Sequence, residues 1–175
     1  MRRPPAPVDL RGRLRTRLGA RPYYERPIEG IQGVTIHYTA SSPYASPDAI
    51  AAYQTGPSSH LEFPAVAYTL LVDAWGTTYQ CHDLDVRCWH SGAVVDGVAR
   101  NASHIGICWI GSDGPTALQV EGIADAFAWC ETQLGKRLTL EGHRDSYSTA
   151  CPGANWATWR RDVERHIERW RTENA

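Results

Sequence analysis

The chain has 175 residues, of which 42% are hydrophobic and 21% charged, with a formal net charge of −1. One hydrophobic core commonly serves a chain of this length, and the aromatic content argues against disorder. The near-zero charge excludes a whole-molecule pull toward nucleic acid, and no stretch approaches the roughly 20 apolar residues of a membrane span.

Residues 1–28 carry arginines at 2, 3, 11, 13, 15, 17, 21 and 26 and open on a proline-rich run. We read them as a basic N-terminal extension packing on a domain of residues 29–175. The arginines suit a solvated cap or contact with an anionic surface such as a cell envelope. The extension lacks the apolar run of about 7–15 residues that a secretory signal needs, so synthesis without a leader is expected. Ile31 to Tyr38 has the β-branched density of a buried strand, which places His37 near the strand's end. Ser46 followed by Pro47 predicts a helix start that Gly56-Pro57 closes. Ala65 to Val72 and Thr77 to Cys81, around Asp73-Ala74-Trp75-Gly76, predict a hairpin.

Ile105 to Ile110 predicts another buried strand. Val120, Ile123, Ala124, Phe127, Cys130 and Leu134 then recur at helical spacing up to Gly135. Arg137 to Leu140 reads as a short strand running into Gly142-His143-Arg144-Asp145. A last helix carries Trp156, Trp159, Val163, Ile167 and Trp170 on its apolar stripe, so its tryptophans are expected to pack. The elements lack strict βαβ alternation, and the predicted fold is α/β, a central mixed sheet flanked by helices.

His143 and Cys151 are presented by one connection, and His37 ends another strand. Three nitrogen or sulfur donors with a fourth position open is what a catalytic zinc needs, and Asp145 is placed to hold a ligand by a hydrogen bond. The spacing alone specifies no metal signature, since His and Cys eight positions apart across a loop occur without one. Five cysteines cannot all pair within one chain. Reduced thiols are expected, with a Cys81–Cys88 bridge the open alternative.

The whole set of motifs is more specific. In chain order it comprises Asp9-Leu10-Arg11, Val34 to Ala40, Ala67-Tyr68 before Leu70 to Asp73, Trp89-His90-Ser91-Gly92, Ser103 to Ile107, Gly142 to Asp145 and Cys151-Pro152-Gly153. Together these resemble the type 2 N-acetylmuramoyl-L-alanine amidases, the family of small phage amidase endolysins and peptidoglycan recognition proteins. The resemblance runs from about residue 30 to 160, and more loosely from residue 9. It implies a zinc ion held by His37, His143 and Cys151, with Tyr68 and Thr149 assisting catalysis. The implied reaction is hydrolysis of the amide between N-acetylmuramic acid and L-alanine of the peptidoglycan stem peptide. One departure stands out: some cytoplasmic wall-recycling members carry Glu where this chain has Cys108, and a buried thiol is a poor general base. Proton transfer is then left to Tyr68 or a second zinc-bound water.

The implied role is a phage-type endolysin, monomeric, made in the host cytoplasm and reaching peptidoglycan through a membrane pore. It would bind neither nucleic acid nor the membrane stably. The alternatives are a non-catalytic peptidoglycan-binding recognition domain and a cytosolic wall-recycling amidase. Trp89 and His90 are candidate substrate-binding residues. His90 either lines the cleft or fixes its loop, and Trp89, like Trp75 and Trp109, either stacks on substrate or packs in the core. His60 and His104 read as structural, and His82 and His166 as surface residues.

Overall fold

A computed structural model describes residues 4–57 and 62–174; His60 lies outside them. Ten strands occur among the described residues: β1 (Val8–Asp9), β2 (Tyr24–Glu25), β3 (Gly33–Tyr38), β4 (Leu70–Val72), β5 (Thr78–Gln80), β6 (Val86–Arg87), β7 (Val94–Val95), β8 (Val98–Ala99), β9 (His104–Trp109) and β10 (Thr139–Gly142). The helices are α1 (Pro47–Thr55), α2 (Arg100–Ser103), α3 (Ala117–Leu134), α4 (His143–Ser146) and α5 (Trp156–Glu173). The main sheet has the order β1-β5-β4-β9-β3-β10. Strands β4, β9, β3 and β10 run parallel, while β5 is antiparallel to β4, so the sheet is mixed as the sequence predicts.

Side-chain alternation along the parallel strands divides the two faces. Val34 and Ile36 of β3, Ile105, Ile107 and Trp109 of β9, and Leu70 and Val72 of β4 form one core with Ile123 and Phe127 of α3 and Trp156, Trp159, Val163 and Ile167 of α5. Burying each such large side chain contributes about 1.5–3 kcal/mol, so this layer is what fixes the register of β3. The same alternation turns Thr35 and His37 to the opposite face. There the register aligns His37 with Cys108 and Cys108 with Leu71, beside a smaller core that includes Ile50 and Ala51 of α1.

The long helices start and stop on their sequence signals. Ser46 Oγ accepts the Ala49 N–H at the start of α1, and Thr116 with Gln119 forms a capping box on α3, which Gly135 ends in the left-handed region. The β4–β5 turn closes through Asp73, whose Oδ1 accepts the N–H groups of Trp75 and Thr77. Gly76 is required in that turn: its φ is +82°, and a Cβ there would lie 2.5 Å from the Leu118 carbonyl oxygen.

The predicted strand from Ala65 is shorter than expected. Only Leu70–Val72 is strand, because upstream backbone groups find other partners. The Ala67 N–H donates to Gln54 Oε1 of α1, and the Ala65 carbonyl accepts the Tyr23 hydroxyl. The N-terminal segment is joined to the body by β1 pairing with β5 and β2 with β6, and by the buried Arg26, whose guanidinium donates to the carbonyls of Leu84, Asn101 and His104.

Candidate metal centre

His37, His143 and Cys151 come together although 106 and 8 positions separate them along the chain. His37 is 1% exposed on β3. His143 follows the last residue of β10, the neighbouring strand, with its ring centroid 4.6 Å from that of His37. Cys151 arrives from the loop between α4 and α5, its Sγ 3.5 Å from His37 Nδ1. One ligand atom from each residue lies within 4.8 Å of the other two.

The loop that carries Cys151 is tied back to α4. The Arg144 N–H donates to the Cys151 carbonyl at 3.0 Å, and the Arg144 guanidinium donates to the carbonyls of Ala150, Cys151 and Gly153. Trp109 supports it from the core side, Nε1 donating to the Pro152 carbonyl at 3.0 Å. Asp145 does not bond a ligand ring, contrary to the sequence expectation. Its carboxylate accepts the Gly142 N–H at 2.8 Å, Trp156 Nε1 at 3.0 Å and the Arg160 guanidinium at 3.2 Å, so it fixes the backbone on which His143 stands.

These residues fit a metal ion. His143 Nε2 is buried with no hydrogen-bond partner, an uncommon and costly condition for a ring nitrogen unless something outside the protein completes it. Burial pushes the Cys151 thiol up to about 12, so ionisation in this pocket requires a cation beside it. Burial likewise drives His37 well below the ordinary histidine range and lowers His143, keeping both as neutral donors. Two imidazoles and a thiolate with one position left open make a donor set suited to catalytic zinc.

The Tyr68 ring is 5.2 Å from that of His37. Burial raises both the Tyr68 phenol and the Cys108 thiol well above their ordinary values. In the metal-free protein each therefore keeps its proton near neutral pH, which leaves Tyr68 a hydrogen-bond donor. Thr149 lies beside Cys151, its Oγ1 accepting the Cys151 N–H at 3.2 Å, so the hydroxyl proton is available to another partner.

Of the two candidate substrate residues, His90 is 6% exposed and sits behind His37, with its Nδ1 3.0 Å from His37 Nε2. The ring nitrogens of His90 face His37 and the His104 carbonyl rather than its own loop. Trp89 is 40% exposed and packs edge-on against Tyr23 at 5.5 Å. Trp109 is in the core, whereas Trp75 is 64% exposed. The His104 side chain is buried and bonded to Ser103, His166 is half-buried, and all five cysteines are free. His82 is likewise half-buried, with a ring nitrogen 2.8 Å from the Val66 carbonyl. Tyr147, unflagged by any sequence signal, stacks on His143 with ring centroids 5.3 Å apart and stands 50% exposed.

Solved structures share this architecture. The N-acetylmuramoyl-L-alanine amidase LysC from Clostridium intestinale URNW superposes with a TM-score of 0.68 at 15% identity, covering 94% of this chain and 98% of that one. The Ph2119 endolysin from Thermus scotoductus MAT2119 bacteriophage Ph2119 does so with 0.62 at 20% identity, covering 83% and 90%. Drosophila peptidoglycan recognition protein SA gives 0.65 at 21% identity, covering 85% and 87%. The fold is therefore of the amidase and peptidoglycan recognition type. No curated protein sequence matches the chain. The profile described as N-acetylmuramoyl-L-alanine amidase matches residues 25–154, and the chain belongs to that family.

Proposed function

We propose that the protein is a zinc-dependent amidase that cuts the bond between the lactyl group of N-acetylmuramic acid and L-alanine of the stem peptide. The observation that carries this reading is the convergence of His37, His143 and Cys151, with the buried His143 Nε2 lacking any partner in the protein. When bound, zinc supplies a Lewis acid for the scissile carbonyl and a water acidic enough to yield hydroxide near neutral pH.

The protein's own groups do the rest. The Tyr68 hydroxyl, held protonated by burial, donates a hydrogen bond to the oxyanion that develops as the carbonyl is attacked. The Thr149 hydroxyl donates a second, its oxygen being held in place by the Cys151 N–H. Tyr147 keeps the His143 ring from turning and forms part of the exposed wall of the site. His90 and Asp145 act on the two histidines from behind, one through a ring nitrogen and the other through the backbone of Gly142.

We place the chain among phage-type endolysins rather than wall-recycling enzymes because Cys108 stands where some of the recycling enzymes it resembles carry Glu. Likeness to endolysin structures supports this placement. Among the described residues no helix is long and apolar enough to cross a membrane.

The test is digestion of purified peptidoglycan by the zinc-loaded protein, by the chelated protein and by the chelated protein with zinc restored, with products read by mass spectrometry. Stem peptides with a free L-alanine amine, lost on chelation and regained with zinc, are expected. Peptidoglycan that the zinc-loaded protein binds but leaves intact would replace the amidase with a recognition domain.

A further inference from the structure

Behind His37 lies a chain of hydrogen bonds whose donors and acceptors admit one arrangement. Nε2 of His90 is 3.0 Å from the carbonyl oxygen of His104. A carbonyl only accepts, so His90 Nε2 carries a hydrogen. That same carbonyl also receives the Arg26 guanidinium, a fixed positive charge of the sign an imidazolium would have. The buried His90 ring is therefore the neutral one, with a bare Nδ1. Nδ1 of His90 faces Nε2 of His37 at 3.0 Å, and one of the two must donate. The bare nitrogen cannot, so the hydrogen belongs to His37 Nε2. This leaves the His37 Nδ1 lone pair pointing toward Cys151 Sγ, 3.5 Å away.

We propose that His90 is a positioning residue that sets the tautomer of His37, holding the proton on Nε2 and so keeping Nδ1 free to bind a metal ion. The ligand role of His37 rests on the zinc reading above, whereas the hydrogen-bond chain does not. Ring nitrogens of metal-binding histidines are set in this way by the partner of the other nitrogen. Here the partner is a second histidine anchored to the main chain of β9, not a carboxylate. The sheet is built to admit it: Gly106 lies under the His90 ring, where a Cβ would come 2.8 Å from His90 Cγ. The relay also reaches the N-terminal segment, since Arg26 holds the far end of the same carbonyl.

Two measurements decide the matter. In metal-free wild-type protein labelled with 15N-histidine, long-range proton–nitrogen correlation spectra should show His37 and His90 both protonated at Nε2 and bare at Nδ1. A proton on Nδ1 of His37 would overturn the inference. Zinc affinity is then measured by competition with a chromophoric chelator in the wild type, His90→Phe and His90→Gln. His90→Phe removes the acceptor and should weaken zinc binding by about 10–100-fold. His90→Gln offers an oxygen to His37 and an N–H to the His104 carbonyl, and should return affinity to within a few-fold of wild type. Unchanged affinity in His90→Phe would overturn the inference. If that variant does not fold, the tautomer in the wild type decides alone. A wild-type chain that takes up no zinc would overturn the metal reading instead, and its His37 tautomer would still judge this one.

Discussion

At Tyr68 and Cys108, burial keeps the proton on both groups of the metal-free protein, and in the proposed reaction Tyr68 uses its proton to donate to the oxyanion. Tyr68→Phe removes one oxyanion donor without touching a ligand. It should lower kcat by about 10²–10³-fold while leaving the zinc content of the purified protein unchanged. Cys108→Ala, by contrast, removes a thiol that stays protonated, and kcat should remain within a few-fold of wild type; a collapse of the rate would show that the thiol has a role its burial argues against. Gly106→Ala tests the support beneath His90. Its new Cβ would lie 2.8 Å from His90 Cγ and 2.9 Å from His90 Cβ. The ring or the strand must shift, and overpacking of this kind costs about 1–3 kcal/mol in urea unfolding. At this scale the grouping of His37, His143 and Cys151 was legible only through the resemblance of the whole motif set, because their spacing alone specifies no metal signature. The real place of His90 was not, since it depends on a ring lying over a glycine one strand away.

Among the elements, α4 and the start of α5 show how one carboxylate organises a connection. Asp145→Ala would strip a partner from the Gly142 N–H and another from Trp156 Nε1, and Trp156 is 3% exposed. Unmet donors at such sites cost about 1–3 kcal/mol each, so a loss of roughly 2–6 kcal/mol is expected in urea unfolding of the metal-free protein. Because His143 is the residue after Gly142, zinc affinity should fall as well. Asp145→Ala with full stability would show that Trp156 is held by packing alone. The sequence marked Asp145 as a supporting residue but gave it the wrong partner, because a helix of one turn capped by its own aspartate has no periodicity to read. The same reason hid the two-residue pairs β2–β6 and β7–β8 and the short α2. Helices α3 and α5 and strand β9 were legible because each repeats its apolar pattern over several turns or pleats. The strand predicted from Ala65 was too long because apolar content does not reveal that Gln54 and Tyr23 take up the backbone groups there.

For the molecule as a whole, buried neutral histidines tie stability to pH. Burial pushes His90 down to about 3, against the pull of the His104 carbonyl and aided by Arg26, His104 and His143 nearby. Burial also lowers His104, to about 4, although Glu141 opposes it, and lowers His82. A histidine that is neutral when folded and has an ordinary value near 6.5 when unfolded binds its proton first in the unfolded chain. Its contribution is therefore complete above pH 6.5 and is lost as pH falls from there toward the folded value. For His90 the slope is about 1.4 kcal/mol per pH unit, or roughly 2 kcal/mol between pH 6.5 and 5. Asp9 titrates elsewhere: the Arg11 side chain holds its carboxyl near 2, so whatever it contributes is lost only below about pH 4. Urea midpoints of the metal-free protein between pH 7 and 4.5 should thus fall with pH, and fall less steeply in His90→Gln, by close to one proton's worth of slope. Equal slopes in the two proteins would mean that His90 takes up its proton in the fold as readily as in the unfolded chain. The carbonyl it shares with Arg26 would then not be holding a neutral ring.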